Sequence, residues 1–266
     1  MQPKQLTSLK NPDIKKVVRL RERKFRDRTR LTIVEGLREI LAAVEAKVDI
    51  KELYVCRELF DNRGEGALVK RISSNTPVME ITKEAFAKIA YGDRQEGLLA
   101  VCQPKHLTLN ELLVDENSLW VIVENVEKPG NLGAILRTCD AGGVSGVVVC
   151  DHATDLYNPN IIRASLGIVF SIPVVPTSNQ NALQFLQKNK INIVAAMPNA
   201  KLVYTQANFK GSCAIVLGSE EKGLSDFWKK NSSMQVNIPM LGHADSLNVS
   251  STAAILIYEA IRQRSN

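Results

Sequence analysis

The feature that constrains this chain most is a series of short apolar runs in its second half, each ended by a polar stretch. Residues 120–123, 147–150, 172–175, 191–195 and 214–217 are apolar throughout, save for Pro173 and Asn192, and lack the alternation of a strand with one wet face. Helical stretches fall between most of them. Continuous apolar runs of this kind fit strands buried on both faces, which means an α/β fold around a parallel sheet. A further short strand at 235–239, a glycine-containing loop and a helix at 247–262 close the chain.

The first half repeats the alternation on a smaller scale. Strands are predicted at 31–34, 53–56, 77–81 and 97–101, with helices at 37–46 and 83–90, which makes a small α/β domain. Between the halves, 103–118 contains Pro104 and ends in the polar run Asp115-Glu116-Asn117-Ser118. We therefore expect a first domain over 1–106, a linker over 107–117 and a second domain over 118–266. With 266 residues and 45% hydrophobic content, there is material enough for two cores. No apolar run nears the roughly 20 residues that cross a bilayer and no secretory segment opens the chain, so a cytoplasmic protein is expected. Five scattered cysteines without a Cys-x-x-Cys pair signal neither a disulfide framework nor a zinc site, and no metal is expected.

Charge is distributed unevenly. Residues 1–38 carry twelve Lys and Arg against four acids, a balance of +8, while the remainder of the chain sums to −2. A polyanion met by a localised patch is the partner this suggests. Ile14, Val17, Val18 and Phe25 thread a thin apolar stripe through the basic run, which predicts one amphipathic helix over 14–29. Arg19, Arg21, Arg23, Arg26 and Arg30 are the candidate RNA-binding residues. A solvated helical face is the plainer alternative.

In an open parallel sheet, ligands bind beyond the carboxyl ends of the strands. Three segments occupy such places: Glu124 to Thr138, Gly218 to Ser225, and Leu241 to Ser250. Pro129 and Gly130 force a turn, after which Asn131 is placed to cap a helix; Arg137 follows one to two turns on, beside a face that Gly133 leaves bare. Ser246 likewise fits a cap, ahead of a helix that opens on small residues. Taken singly, each is an ordinary cap, turn or surface cation.

Together and in this order, the three segments resemble the motifs of the SpoU (TrmH-like) RNA ribose methyltransferases of the SPOUT superfamily. NLGAILRT at 131–138, GSEEKGLS at 218–225 and IPMLGHADSLNVS at 238–250 carry the likeness, with IRASLG at 162–167 in support. The first half resembles, more weakly, the family's α/β/α substrate-binding domain, through 25–39 and QEGLLA at 95–100. Two departures stand out: Glu221 replaces a frequent glycine, and Glu96 interrupts a usual Gln-Gly pair.

The resemblance implies a methyl transfer from S-adenosylmethionine to a ribose 2′-hydroxyl, a C-terminal domain tied in a deep trefoil knot, and a homodimer with its active sites at the interface. It assigns catalysis to Arg137, Asn131, Glu220, Ser246 and Asn248, and cofactor contacts to Leu217, Gly218, Ile238, Met240, Ser246 and Leu247. Arg137 would lower the cost of the developing alkoxide while its fork engages an RNA phosphate. A separate N-terminal RNA domain favours large-subunit (23S) ribosomal RNA as substrate. A tRNA target is the near alternative, and a non-catalytic RNA-binding or ribosome-assembly factor on the same fold is the alternative of a different class.

Overall fold

The computed structural model describes residues 4–92, 95–151 and 155–265. The first half runs β1 (Lys4–Leu6), α1 (Pro12–Arg19), α2 (Arg23–Thr29), β2 (Thr32–Glu35), α3 (Leu37–Glu45), β3 (Asp49–Val55), α4 (Glu65–Ile72), β4 (Val78–Ile81), α5 (Lys83–Ile89) and β5 (Leu98–Gln103). The second runs β6 (Leu119–Glu124), α6 (Pro129–Ala141), β7 (Gly146–Cys150), α7 (Pro159–Ala164), β8 (Val174–Thr177), α8 (Asn179–Lys188), β9 (Asn192–Ala196), β10 (Leu202–Val203), β11 (Cys213–Leu217), α9 (Asp226–Asn231), β12 (Met234–Asn237) and α10 (Val249–Arg264). The described residues fall into two compact units: those up to Lys105 together with Tyr157–Ser171, and those of 106–151, 155–156 and 172–265.

In the first unit a mixed sheet has the order β1-β4-β3-β5-β2. Ile14 and Val17 of α1 and Phe86 and Ile89 of α5 bury against Tyr54, Leu99 and Val101 of the sheet. The single basic helix expected over 14–29 is broken in two. Leu20 closes α1 and Glu22 starts α2. The Arg26 guanidinium folds back into the break, where Nη1 donates to the carbonyls of Leu20 at 2.6 Å and Arg21 at 2.7 Å. Helix α7 joins this unit along β2. The Thr32 hydroxyl donates to the Tyr157 carbonyl at 2.7 Å, and at Gly167, with φ of +83°, a Cβ would lie 2.7 Å from that of Ala42.

The second unit is built on seven parallel strands in the order β10-β12-β9-β11-β6-β7-β8. As the apolar runs predict, the central strands are buried on both faces: every residue of β6, β7 and β11 is buried. Trp120, Ile122, Ala214 and Val216 face α8 and α9, packing with Leu183, Leu186 and Trp228. α6 and α10 pack together, with α10 also against β11 and α6 against β7. Because all strands run one way, the loops after β6, β9, β11 and β12 emerge at one edge.

Candidate active site

At that edge the second unit holds a cavity of about 470 Å³, within the range of small-molecule sites. Leu217, Gly218, Ile238, Met240, Ser246 and Leu247 all line it. So do residues that sequence reasoning did not single out for the site: Met197, Pro198 and Asn199 after β9, and Lys229 of α9. Nothing in the sequence marks the β9 loop as a wall; only the strand order, which puts β9 between β11 and β12, brings it there.

One wall is the 218–224 loop, folded tightly on itself. The Gly223 N–H donates to the Ser219 carbonyl at 3.0 Å and the Lys222 N–H to Ser219 Oγ at 3.2 Å. The fold-back requires glycine at 218, where a Cβ would stand 2.2 Å from the Gly223 carbonyl carbon and 2.3 Å from the Leu224 nitrogen. Glu220 projects from this loop and lines the cavity. Its Oε1 accepts from Asn131 Nδ2, and Asn131 Oδ1 in turn accepts from Asn248 Nδ2 at 3.2 Å. Three segments separated by up to 117 residues thus meet in one polar chain.

Two caps differ from expectation. α6 starts earlier, with Lys128 as its cap and Pro129 in the first turn, so Asn131 lies inside the first turn and its amide is free to cross to Glu220 and Asn248. The last helix is capped by Asn248, not Ser246: Asn248 Oδ1 accepts from the Ser250 N–H at 2.8 Å. Ser246 is exposed on the cavity rim. Gly133 is buried rather than bare. Arg137 is exposed, does not line the cavity and makes no hydrogen bond or ion pair among the described residues.

The chemistry of the cavity suits a nucleoside carrying a positive centre. Leu217, Ile238, Met240 and Leu247 give apolar walls, and among the charged lining residues Glu220, Glu221 and Asp245 outnumber Lys222 and Lys229. S-adenosylmethionine, with an adenine and a sulfonium, fits that donor set.

In the first unit the five basic candidates separate. Arg26 is 5% exposed and tied to backbone carbonyls, which removes it from the reach of a phosphate. Arg21 is half-buried, with Nη2 donating to the carbonyls of Lys88 at 2.9 Å and of Ala90. Arg19, Arg23 and Arg30 are exposed. Arg19 lies over the Phe25 ring at 4.2 Å from its centroid, and Arg28, absent from the candidates, lies over the same ring at 5.0 Å.

Comparison with known proteins agrees with this arrangement. Residues 118–258 match the SpoU rRNA methylase family, and residues 11–100 match an MRM3-like substrate binding domain. The chain is 30% identical over 239 residues to the 23S rRNA (guanosine-2′-O-)-methyltransferase RlmB of Bordetella pertussis, covering 87% of this chain and 97% of that one. Among solved structures, an RNA 2′-O ribose methyltransferase superposes with a TM-score of 0.88 at 37% identity, covering 98% of this chain and 100% of the other. An AdoMet-bound rRNA methyltransferase from Sinorhizobium meliloti superposes with a TM-score of 0.90 at 27% identity, covering 98% of each chain. With its motif residues gathered at the carboxyl edge of a parallel sheet and a substrate-binding unit ahead of them, the chain belongs to the SpoU rRNA methylase family.

Proposed function

We propose that this protein methylates a ribose 2′-hydroxyl of 23S ribosomal RNA, with S-adenosylmethionine as donor. The polar chain from Glu220 through Asn131 to Asn248, set beside the cavity that Glu220 lines, carries the reading. A pocket that only bound a nucleoside has no need of three motifs joined by side-chain bonds at its rim. The RlmB relative named above acts on 23S rRNA by its name, and the Sinorhizobium meliloti neighbour is named an rRNA methyltransferase, which sets rRNA ahead of tRNA here.

When bound, S-adenosylmethionine supplies an electrophilic methyl on sulfur. Leu217, Gly218, Ile238, Met240 and Leu247 would hold it, with Ser246 beside them. Glu220 fixes Asn131, whose place in the first turn of α6 lets it orient the incoming ribose. Asn248 holds Asn131 from the other side while capping its own helix. Arg137, without a partner among the described residues, is available to an RNA phosphate, and its charge lowers the cost of alkoxide at the neighbouring 2′-oxygen. The neighbouring phosphate shares the 2′-hydroxyl proton, which then passes to solvent.

Arg137 lies off the cavity in one chain, and the loop of residues 241–248 is exposed throughout, with Leu241 at 98%. Both facts support a homodimer that completes the site with a second copy. We place the division of labour at the linker of residues 107–117, with 1–106 engaging RNA and 118–266 transferring the methyl, and we expect the catalytic domain to carry the trefoil knot of its family. Arg19, Arg23, Arg28 and Arg30 are the phosphate contacts of the first unit. The reaction belongs in the cytoplasm, where ribosomal RNA is met.

Labelled methyl transfer to ribosomal RNA, followed by mapping of ribose methylation, tests the proposal. Arg137→Ala is expected to lower the rate by roughly 10² to 10³, the effect of removing one preorganised charge stabiliser, with the melting temperature unchanged. An intact rate in this variant would overturn the assignment, and methylation of tRNA alone would move the substrate.

A further inference from the structure

The cavity wall that carries Glu220 is held from behind by a group outside the predicted site. Glu124, the last residue of β6, is 1% exposed and accepts three hydrogen bonds. Its Oε2 takes the Ser225 N–H at 2.8 Å, and its Oε1 takes the Ser225 hydroxyl at 2.6 Å and Asn179 Nδ2 at 2.6 Å. Asn179 Oδ1 then accepts from the buried Trp228 Nε1 at 2.6 Å, and the Asn179 N–H donates to Asp151 Oδ1 at 3.1 Å. Ser225 stands at the cap position of α9 yet caps nothing with its side chain. A serine there ordinarily serves the first turn of its own helix; here it is turned to Glu124 instead.

The placement matters because of what flanks each end. Ser225 directly follows the cavity-lining loop of residues 218–224, five residues beyond Glu220. Glu124 directly precedes the turn that leads into α6, seven residues before Asn131. Val123 and Leu217 are register partners on β6 and β11, so the two loops leave neighbouring strands. One side chain thereby ties together the two segments whose tips are Asn131 and Glu220.

We infer that Glu124 is a positioning residue for methyl transfer, holding the 218–225 loop closed on the cofactor cavity and Glu220 within reach of Asn131. The inference rests on the cofactor reading given above. It makes a specific demand on bond polarity. In Glu124→Gln, one oxygen becomes an NH₂ facing either Asn179 Nδ2 or the Ser225 N–H, a donor against a donor. Flipping the Asn179 amide only moves the conflict to Trp228 Nε1. In the double variant Glu124→Gln with Asn179→Asp, the introduced amide donates to the introduced carboxylate and to the Ser225 hydroxyl, which turns from donor to acceptor, and every contact is kept at unchanged net charge.

The test measures S-adenosylmethionine affinity by calorimetry, and hydrogen exchange of the Lys222 and Gly223 amides, which do not touch Glu124, on the full chain without ligand. Glu124→Gln is expected to weaken affinity about tenfold or more, because an unsatisfied buried donor favours the open loop, and to speed exchange at both amides. The double variant is expected to return both to within about threefold of wild type. Affinity and exchange unchanged in Glu124→Gln, or equally damaged in the single and double variants, would overturn the inference. Should Glu124→Gln not fold, Ser225→Ala, which removes the hydroxyl bond alone, decides it: faster exchange supports the tether and unchanged exchange refutes it. Failure of wild type to bind S-adenosylmethionine would count against the cofactor reading, and the exchange measurement, which needs no ligand, would still judge the tether.

Discussion

Gly218→Ala isolates the steric demand of the cavity wall. Gly218 does not have a positive φ, so alanine is allowed by backbone conformation and only space opposes it. The added Cβ would lie 2.2 Å from the Gly223 carbonyl carbon, 2.3 Å from the Leu224 nitrogen and 2.4 Å from the Gly223 oxygen, against about 3.5–4.0 Å for comfortable contact. All three are backbone atoms of a loop tied by the Gly223 N–H to Ser219 and by the Ser225 N–H to Glu124. Relief therefore requires the loop to swing by more than an ångström and give up one or both bonds. Overpacking costs about 1–3 kcal/mol and each broken bond about 1 kcal/mol, so about 3 kcal/mol is expected in all.

That strain divides between two observables. If the closed loop persists, the second unit loses about 3 kcal/mol of stability, a fall on the order of 10 °C in melting temperature. If the loop opens, stability is kept and closing it on the cofactor costs the same amount, about a hundredfold in affinity. Scanning calorimetry and a S-adenosylmethionine titration of one sample read both, and their sum is the prediction. Gly223→Ala is the control: its Cβ meets nothing within 4 Å, but φ is +64°, so the penalty of roughly 1–2 kcal/mol is conformational and should shrink with asparagine. Gly218→Ala with wild-type melting and wild-type affinity would refute the steric account.

Three further predictions concern the first unit. Arg26→Ala should destabilise it by about 2–3 kcal/mol, read by urea denaturation, because the Leu20 and Arg21 carbonyls lose their charged donor. Arg19→Gln with Arg28→Gln should leave stability nearly intact but lower RNA affinity, flattening the salt dependence by about 0.7–0.9 log units for each phosphate no longer neutralised. Glu35 supplies a pH test: burial pushes its carboxyl above the ordinary 4.5, although N–H groups of Tyr91 and Gly92 and the charge of Arg163 pull it down. The folded state thus holds this proton more tightly than the unfolded one. Glu35 favours folding below pH 4.5 and opposes it progressively as pH rises through its elevated pKa. The stability of Glu35→Gln minus that of wild type should climb from pH 4.5 upward and then level off. A difference flat across about pH 4–7 in urea titrations would refute it.

The parallel sheet was legible because its cause is local: buried central strands need unbroken apolar runs, and those of β6, β7 and β11 stand out from polar neighbours. The edge strands β1 and β10 were not, being three and two residues long, with Leu6 the one buried residue of β1 and both side chains of β10 half-buried, and fixed only by pairing with β4 and β12. The break between α1 and α2 has no glycine or proline to announce it; it is held by Arg26, whose role depends on where its side chain lands. The start of α6 could have been read correctly, since Pro129 prefers the first helical turn and so puts the cap at Lys128. The choice between Ser246 and Asn248 could not, both being good caps two residues apart.

These caps also separate structural from functional polar residues in a way that sequence alone does not. Thr82, Asn158 and Ser178 each give a side-chain oxygen to an N–H of the helix they begin, and their presence is fully explained by that bond. Ser225 holds the cap position of α9 and Asn131 lies in the first turn of α6, and both send their side chains to partners about a hundred residues away in sequence. Asn248 does both at once, capping through Oδ1 and reaching Asn131 through Nδ2. Local energetics favours the cap, worth about 1 kcal/mol, so a residue diverted from it must be held by something else. Ser225 is so diverted, and it lies with Asn131 and Asn248 in the segments that converge on the cavity edge, as expected if local rules give way where a site must be held together.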